Sequence, residues 1–352
     1  MQVVLKEPRF EFFHVDLRAL SEGEGLSVRQ KDYFSSFMQM ELAKNTTLGR
    51  EVLFRVGLIR ISEHVSIIYI GTSHWFLEGG SVYLLFRELI GRLEAKPDAD
   101  LFKRRIVRLY SRDRSTALAY WRKLLEGRNG MTRLPVRNEY TDNTAVEQFL
   151  VVGGRKLQER AYAFCRAHHY TISALMTYAL GKALMRVLAV EEVCFCSIGS
   201  GREPEDSQLP GMFVVPFPVR LHSGDSIYDC QEQLLRSAPH AWIWGISDSG
   251  LPVAMDEGSI GISVQNYDTG LDADCRNIKP EEFVTPNQGR KLWNTYLMHL
   301  MKGFGTFLML QVNVDESLSY IGAYPQGQYA PEFTREFSQE LINQLRSIVK
   351  ED

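Results

Sequence analysis

Strand-like and helix-like patterns interleave along the whole chain, and this alternation restricts its fold more than any other feature. Apolar residues recur with the spacing of strands at 52–61 and 65–72, and with the spacing of helices at 28–43 and 173–188. A strand or helix with an apolar face must bury that face against another layer, so mixed sequences of this kind fold as sheets covered by helices. We therefore predict an α/β layered architecture (an α+β layered sandwich), with two sandwiches side by side.

The predicted elements are spread over both halves of the chain. Strands are expected at 3–5, 10–15, 52–61, 65–72, 145–152, 193–198, 212–221, 259–265, 292–300, 305–314 and 318–324. Helices are expected at 28–43, 82–93, 115–125, 156–168, 173–188, 227–238 and 333–348. Ser81 stands where it would cap the second of these helices. The polar, turn-rich stretch 126–144 predicts a boundary, which gives an N-terminal lobe at 1–140 and a C-terminal lobe at 141–352.

Composition excludes several classes of protein. The chain of 352 residues carries 40 Lys and Arg against 43 Asp and Glu, and this balance argues against a nucleic-acid-binding protein. The 19 Phe, 15 Tyr and 5 Trp exclude a disordered chain. Neither a secretory signal nor a run of about 18 uncharged apolar residues, as a membrane span needs, is visible. An odd number of unpaired cysteines indicates reduced thiols in a cytoplasmic protein, with Cys194 and Cys196 buried in a strand.

One segment is the best candidate for chemistry. An apolar strand runs to Thr72, His74 follows it, Glu78 comes four residues later, and Gly79 and Gly80 precede a helix. Catalytic side chains often lie where a strand gives way to a loop, because the strand fixes the backbone and the loop exposes the side chain. Histidine suits proton transfer near neutral pH. A structural, hydrogen-bonded histidine remains the alternative, and the pattern does not favour a metal site.

Residues 73–79, Ser-His-Trp-Phe-Leu-Glu-Gly, resemble the His-His-x-x-x-Asp-Gly signature of condensation domains of nonribosomal peptide synthetases. These domains belong to the chloramphenicol-acetyltransferase-like superfamily of coenzyme-A-dependent acyltransferases. Further segments resemble other motifs of the family in order and approximate spacing: 53–56, 120–121, 198–202, 210–220 and 264–266. The resemblance implies two chloramphenicol-acetyltransferase-like lobes that form a V-shaped pseudo-dimer. It also implies an incomplete first lobe, because nothing before Leu53 resembles the family's opening elements.

The same resemblance implies roles for individual residues. His74 matches the catalytically important histidine, which takes a proton from the attacking amine or steadies the tetrahedral intermediate. Glu78 stands in place of an aspartate, and Arg220 matches the arginine that pairs with it, since a buried carboxylate needs a partner. Residues expected to support the motif structurally are Ser73, Glu78, Gly79 and Arg220. Residues placed along a substrate tunnel are Trp75, Ser200, Val215, Gln265 and Asn266.

The implied reaction is attack of an amine on a thioester, with both reactants carried on phosphopantetheine arms of donor and acceptor carrier proteins. No covalently bound cofactor and no metal is expected. The expected partners are peptidyl or acyl carrier proteins, together with neighbouring synthetase domains or a missing N-terminal segment. Nucleic acid and membrane are not expected as partners.

Other functions stay open at this point. Ser73 and Glu78 depart from the signature, which favours a catalytically degenerate module that binds carrier proteins or recruits a partner enzyme. A free-standing acyltransferase that forms an ester or an amide would carry the same histidine. Racemisation is disfavoured, because Ile198 stands where epimerisation domains carry a glutamate. His168 and His169 are interpreted as a helix end, and Trp242 and Trp244 as core residues.

Overall fold

The chain forms two compact units, described here from a computed structural model that covers residues 10–22, 26–44, 54–72, 76–89, 99–137, 146–245, 260–265, 308–313 and 318–350. The first unit comprises Met1–Pro97, Gln208–Phe213 and Thr269–His299. The second unit comprises Asp98–Ser207, Val214–Asp268 and Leu300–Asp352. This grouping differs from the predicted division after residue 140, because the helices that begin at Ala99 and Arg114 group with the second unit.

The first unit is built on a three-stranded sheet with the order β1-β2-β3. Its elements are β1 (Glu11–Asp16), α1 (Val28–Lys44), β2 (Phe54–Arg60), β3 (Ser66–Thr72) and α2 (Gly79–Leu89). Strand β1 runs parallel to β2, and β2 pairs antiparallel with β3. The aromatic rings of Phe34 and Phe37 on α1 pack with Ile59 of β2 in a small apolar core. This core fixes one face of the sheet whose third strand leads to the motif segment.

Helix α1 begins with a reciprocal cap. The backbone N–H of Gln30 donates to the hydroxyl of Ser27, and the backbone N–H of Ser27 donates to Oε1 of Gln30. The amide nitrogen of Gln30 also donates to the carbonyls of Leu17 and Ile61. Since each of these groups is thereby satisfied, the buried glutamine joins the helix to the sheet instead of destabilising the core.

The second unit is built on a six-stranded sheet with the order β4-β9-β8-β7-β5-β6. Its strands are β4 (Val146–Gly153), β5 (Glu192–Ser200), β6 (Val214–His222), β7 (Ile260–Gln265), β8 (Leu308–Asn313) and β9 (Leu318–Pro325). Its helices are α3 (Ala99–Tyr110), α4 (Arg114–Leu124), α5 (Gly154–His168), α6 (Ile172–Leu188), α7 (Ile227–Ser237) and α8 (Pro331–Ile348). The β5-β7-β8 strands are parallel, and the remaining neighbours pair antiparallel.

Helix α6 is the centre of the core of the second unit. It is apolar around most of its circumference, and Leu175, Leu180 and Leu184 are fully buried in it. The hydroxyl of Thr171 accepts the backbone N–H of Ala174 and caps its N-terminus. A helix that is apolar on most sides can be stable only inside a layered core, and the prediction for 173–188 is confirmed.

Most of the predicted elements are present, with ends that shift by a few residues. The predictions at 3–5 and 292–300 lie outside the described residues. Helix α3 was not among the predicted elements, because its many charges concealed a helical pattern. Among the helices in the described part of the chain, none is both long enough and apolar enough to cross a bilayer.

Candidate active site

Strand β3 carries the chain to the motif segment. It pairs along its whole length with β2 and ends at Thr72. The predicted strand before His74 is therefore confirmed as far as Thr72. Ser73, His74 and Trp75 lie outside the described residues, and the description resumes at Phe76.

Glu78 is anchored by the backbone of a distant segment of the same unit. Its side chain is buried, and its Oε2 accepts a hydrogen bond from the backbone N–H of Phe213 at 3.2 Å. The backbone N–H of Glu78 donates to the carbonyl oxygen of Gly211 at 3.3 Å. A buried carboxylate that accepts a backbone N–H is stabilised as an acceptor and pins the loop that carries it.

Ser81 also forms hydrogen bonds to the segment 208–213. Helix α2 begins at Gly79, so the prediction that Ser81 caps this helix is wrong. The buried hydroxyl of Ser81 donates to the carbonyl oxygen of Gly211 at 2.6 Å and accepts the N–H of Gly211 at 2.9 Å. Because the hydroxyl lies inside the first turn of the helix, it bonds to a neighbouring segment and not to its own helix end.

Arg220 does not pair with Glu78, and that prediction is wrong. Its Nη2 donates to Oε2 of Glu192 at 2.9 Å, and its Nη1 donates to the carbonyls of Leu124 and Glu126. The register of β5 and β6 explains the choice of partner. Arg220 lies opposite Cys194, and Glu192 is its diagonal neighbour on the same face of the sheet.

The Glu192 carboxylate is the centre of a small charged cluster. It also binds Nη1 of Arg128 at 2.8 Å and Nε2 of His222 at 3.0 Å. Burial by itself would raise the pKa of Glu192, but the hydrogen bond from Arg220 and the charges of Arg220 and Arg128 lower it. This cluster joins the end of α4 to the sheet and has a structural role.

The remaining predicted tunnel residues are at different positions in the second unit. Ser200 ends β5, is exposed, and accepts the N–H of Arg202 with its hydroxyl at 3.3 Å. Val215 is buried in the hydrophobic core, so the structure gives it a packing role. Gln265 ends β7, and Asn266 lies outside the described residues. The tunnel itself stays a prediction.

A network of arginines holds the segment after Ser200, and the sequence analysis missed it. Arg105 pairs with the buried Asp206 and donates through Nη2 to the carbonyl oxygen of Gly201 at 2.9 Å. Nη2 of Arg108 lies 2.8 Å from Oε2 of Glu203, and Arg112 pairs with the same carboxylate. Arg105 and Arg108 lie one turn apart on α3, and Arg112 follows the end of this helix; the spacing of these arginines at i, i+3 and i+7 was the available signal.

The network also sets the charge state of its members. Burial by itself would raise the pKa of Glu203, but the hydrogen bond and charge of Arg112 and the charge of Arg108 lower it. Burial lowers the pKa of Arg105. The segment between Gly201 and Asp206 is therefore fixed by ionised groups within the second unit.

Other residues considered in the sequence are structural. Cys194 and Cys196 are buried in β5, and burial raises the pKa of their thiols to about 11 and about 12. Such thiols stay protonated near neutral pH and are poor nucleophiles or ligands. His169 ends α5 in the left-handed conformation, with φ of 58°, so the interpretation as a helix end is confirmed.

The two predicted core tryptophans lie in the short helix 238–245 and pack against the main core. The indole ring of Trp121 lies 5.5 Å from the ring of Trp244, and the Nε1–H of Trp121 donates to the carbonyl oxygen of His240. The guanidinium of Arg112 lies over the ring of Trp242 at 5.6 Å. These contacts join α4, and Arg112 before it, to the rest of the second unit.

Comparison with known sequences gives a consistent result. The model of the condensation domain family matches residues 1–243. Bacitracin synthase 1 of Bacillus licheniformis is 26% identical over 241 residues, which are 62% of this chain and 4% of that protein. Tyrocidine synthase 2 of Brevibacillus parabrevis is 24% identical over 259 residues, which are 68% of this chain and 7% of that protein. The chain thus spans less than a tenth of these relatives.

Solved structures extend the likeness to nearly the whole chain. The epimerization domain from the third module of tyrocidine synthetase B superposes with a TM-score of 0.64 at 17% identity, over 98% of this chain and 80% of that one. A holo four-domain nonribosomal peptide synthetase bound to AMP and glycine superposes with a TM-score of 0.67 at 15% identity, over 97% of this chain and 27% of that one. The X-domain in complex with OxyB from teicoplanin biosynthesis superposes with a TM-score of 0.60 at 14% identity, over 97% of this chain and 77% of that one. The predicted chloramphenicol-acetyltransferase-like fold class is confirmed.

Proposed function

The chain belongs to the condensation domain family, and we propose that it forms an amide bond between an acyl group held as a carrier-protein thioester and the amine of an acceptor. The observation that carries this proposal is the match of the family model to residues 1–243, a range that includes the motif segment 73–79. Two relatives named as synthases of bacitracin and tyrocidine support a place in nonribosomal peptide biosynthesis.

The proposed reaction is acyl transfer from sulfur to nitrogen. The amine nitrogen attacks the thioester carbonyl carbon, the new C–N bond forms, and the carbonyl oxygen carries the negative charge of a tetrahedral intermediate. The C–S bond then breaks, and the thiolate leaves. The proton lost by the nitrogen ends on the sulfur, so atoms and charge balance without any further reactant.

His74 is the residue we propose for this proton. In the sequence it follows Thr72, the last residue of β3, by two positions, and catalytic side chains often come directly after a strand. A neutral imidazole accepts the amine proton and returns it to the leaving thiolate, a contribution of about 10²–10⁴-fold in rate. Alternatively, the ring acts by positioning the amine, which also supplies a large part of such accelerations.

Glu78 is not proposed as the base. Its carboxylate is buried and accepts the N–H of Phe213, and its own N–H is bound to Gly211. These hydrogen bonds fix both the side chain and the backbone of Glu78. With Ser81, they hold the residues that follow His74 against the segment 208–213 of the same unit.

The reactants are proposed to arrive on carrier proteins. A phosphopantetheine arm holds each acyl or aminoacyl group as a thioester, so the arm is part of the substrate. This proposal follows from the family, whose members act with such carriers, and it needs no cofactor bound to the chain.

A second candidate is a module that binds carrier proteins or recruits a partner enzyme without chemistry of its own. Two observations favour it: Ser73 and Glu78 depart from the family signature, and the X-domain of teicoplanin biosynthesis, solved in complex with OxyB, shares the fold.

A product assay separates these functions. The purified chain is mixed with one acyl-loaded and one aminoacyl-loaded carrier protein, and the carriers are analysed by mass spectrometry. Transfer of the acyl group onto the aminoacyl carrier supports condensation. Carrier binding without transfer supports recruitment, and transfer from free coenzyme A thioesters alone supports a free-standing acyltransferase.

A further inference from the structure

The six-stranded sheet of the second unit ends in two edge strands, β4 and β6, which differ in how they are protected. Strand β6 contains Pro216 and Pro218, which have no N–H to donate, and the short helix 238–245 packs against it. Prolines and a covering segment prevent further strands from pairing with such an edge. Strand β4 contains neither proline nor lysine, and among the described strands it pairs only with β9. The β4 edge therefore accepts a further strand, whereas the β6 edge does not.

The exposed side chains of β4 are apolar. Phe149 packs against Phe337 of α8, so the alternation along the strand places Leu150 and Val152 on the face away from this helix. Leu150 and Val152 are 54% and 53% exposed, whereas Ser319, the neighbour of Val152 on β9, is 8% exposed. The sheet is thus covered at β9 and open at β4. An exposed apolar edge strand of this kind is a template for pairing with another strand.

The two ends of β4 carry charges of opposite sign. The charged residue of the strand is Glu147, near its start, whereas Arg155 and Lys156 follow its last residue at the exposed start of α5. Glu147 also bonds to Tyr324, and Arg155 pairs with Glu159 in solvent. A carboxylate accepts several hydrogen bonds and a lysine has three donors, so these contacts leave capacity for a further ion pair. An antiparallel strand with its basic end beside Glu147 complements these charges, and β4 itself has this order of charges.

We propose that β4 pairs antiparallel with the β4 strand of a second copy of this chain, about a two-fold axis that joins the two six-stranded sheets into one. Leu150 lies opposite Leu150 of the second copy, and the two side chains cover each other. Glu147 lies opposite Gly153 of the second copy, beside the basic start of its α5. The pairing therefore covers exposed apolar residues, satisfies the backbone of the edge and places opposite charges together at both ends.

The sequence of β4 selects this register over its neighbours. A shift of one residue would bring together side chains from opposite faces of the sheet. A shift of two residues in one direction would set Glu147 opposite Val151, which packs on the hydrophobic core. A shift of two residues in the other direction would shorten the paired segment. The register centred on Leu150 therefore avoids an apolar partner for Glu147 and keeps almost the whole strand paired.

Charge substitution at the centre of the proposed pairing tests it. Leu150→Lys and Leu150→Glu each set like charges opposite each other across the two-fold axis, whereas an equimolar mixture sets lysine opposite glutamate. Leu235→Lys is the matched control, because Leu235 is an exposed leucine on α7, which packs against β6 at the other edge of the sheet. Sedimentation velocity over a concentration series measures the dimer Kd of each chain and of the mixture. Circular dichroism shows whether each variant is folded.

We expect the wild-type chain to form a dimer and Leu235→Lys to have the same Kd within about twofold. Each Leu150 variant is expected to raise Kd about tenfold or more, and the mixture is expected to recover most of this loss. A wild-type chain that stays monomeric, a Leu150 variant that dimerises like wild type, or an equal loss in Leu235→Lys would each overturn the proposal. A mixture no more dimeric than the single variants would also overturn it, because β4 would then not face its own copy.

Hydrogen exchange of the wild-type chain gives a second readout that needs no variant. Backbone N–H groups on a free edge exchange rapidly with solvent, whereas paired groups are protected. The amides of 147–153 are therefore expected to gain protection as the protein concentration rises through the dimer Kd, and the amides of β6 are expected not to change. Exchange in β4 that is the same below and above this concentration would contradict the proposed pairing.

Discussion

The carboxylate of Glu78 and the backbone N–H of Phe213 are joined by a hydrogen bond of 3.2 Å, across 135 residues of sequence. Together with the bonds from Glu78 and Ser81 to Gly211, it ties the residues after His74 to the segment 208–213. The acidic residue of the motif therefore has a structural role, because it joins the start of α2 to the segment 208–213.

Glu78→Ala should destabilise the first unit by about 1–3 kcal/mol, because it leaves the buried N–H of Phe213 without its acceptor. Glu78→Gln keeps an acceptor oxygen and should cost less. Urea unfolding monitored by fluorescence measures both free energies. If Glu78→Ala and Glu78→Gln lowered the free energy of unfolding equally, the hydrogen bond from Phe213 would not be the stabilising contribution of this carboxylate.

Arg55 on β2 should be energetically coupled to Glu78. Among the side chains of the first unit whose burial the structure describes, these are the two buried charges, and Arg55 is 2% exposed. Both residues belong to the first unit, and buried ions of opposite sign in one compact unit stabilise each other, so Arg55→Met and Glu78→Gln are expected to be non-additive by about 0.5–3 kcal/mol. A double-mutant cycle measures this coupling energy, and simple additivity would argue against it.

Asp206→Asn should be among the more damaging substitutions in the second unit. It removes one partner of a buried ion pair, since the side chains of Arg105 and Asp206 are 8% and 1% exposed, and such changes cost about 3–5 kcal/mol. Glu232→Gln makes the same chemical change in the exposed i,i+4 pair with Arg236, which should cost about 0.5 kcal/mol or less. Chemical unfolding compares the two variants, and similar costs would show that the arginine network does not stabilise the fold.

Glu192 should give stability that depends on pH. Its pKa is lowered in the folded chain, so its contribution is present above the unfolded value of about 4.5 and is lost as pH falls through the lower, folded value. The free energy of unfolding of wild type should exceed that of Glu192→Gln at pH 7, and this difference should shrink towards pH 3. A difference that is constant from pH 7 to pH 3 would contradict the role of the ionised carboxylate.

The elements set by local pattern were predictable from the sequence. The apolar run of α6 could be stable only in a core, and the apolar pattern of β2 and β3 predicted two strands that the structure confirms. In α3, the many Lys and Arg concealed the helical pattern, and the buried side chain of this helix is Arg105. Its structure depends on Glu203 and Asp206, which lie about 100 residues away in sequence.

The partners of charged groups were not predictable. Arg220 was assigned to Glu78 by resemblance, but the register of β5 and β6 places Glu192 beside it. Ser81 satisfied the residue preference for a helix cap, yet a tertiary contact with Gly211 takes its hydroxyl. A single sequence shows which side chains need an ionic or hydrogen-bond partner. Strand register and the packing of segments distant in sequence determine which partner each side chain has.

The most direct measurement is the single-turnover rate of amide formation by His74→Ala on loaded carrier proteins at pH 7. His64→Ala serves as the matched control, because His64 is an exposed histidine in the turn between β2 and β3. We predict a loss of about 10²–10⁴-fold for His74→Ala and a wild-type rate for His64→Ala. A His74→Ala chain that forms product at close to the wild-type rate would contradict the account.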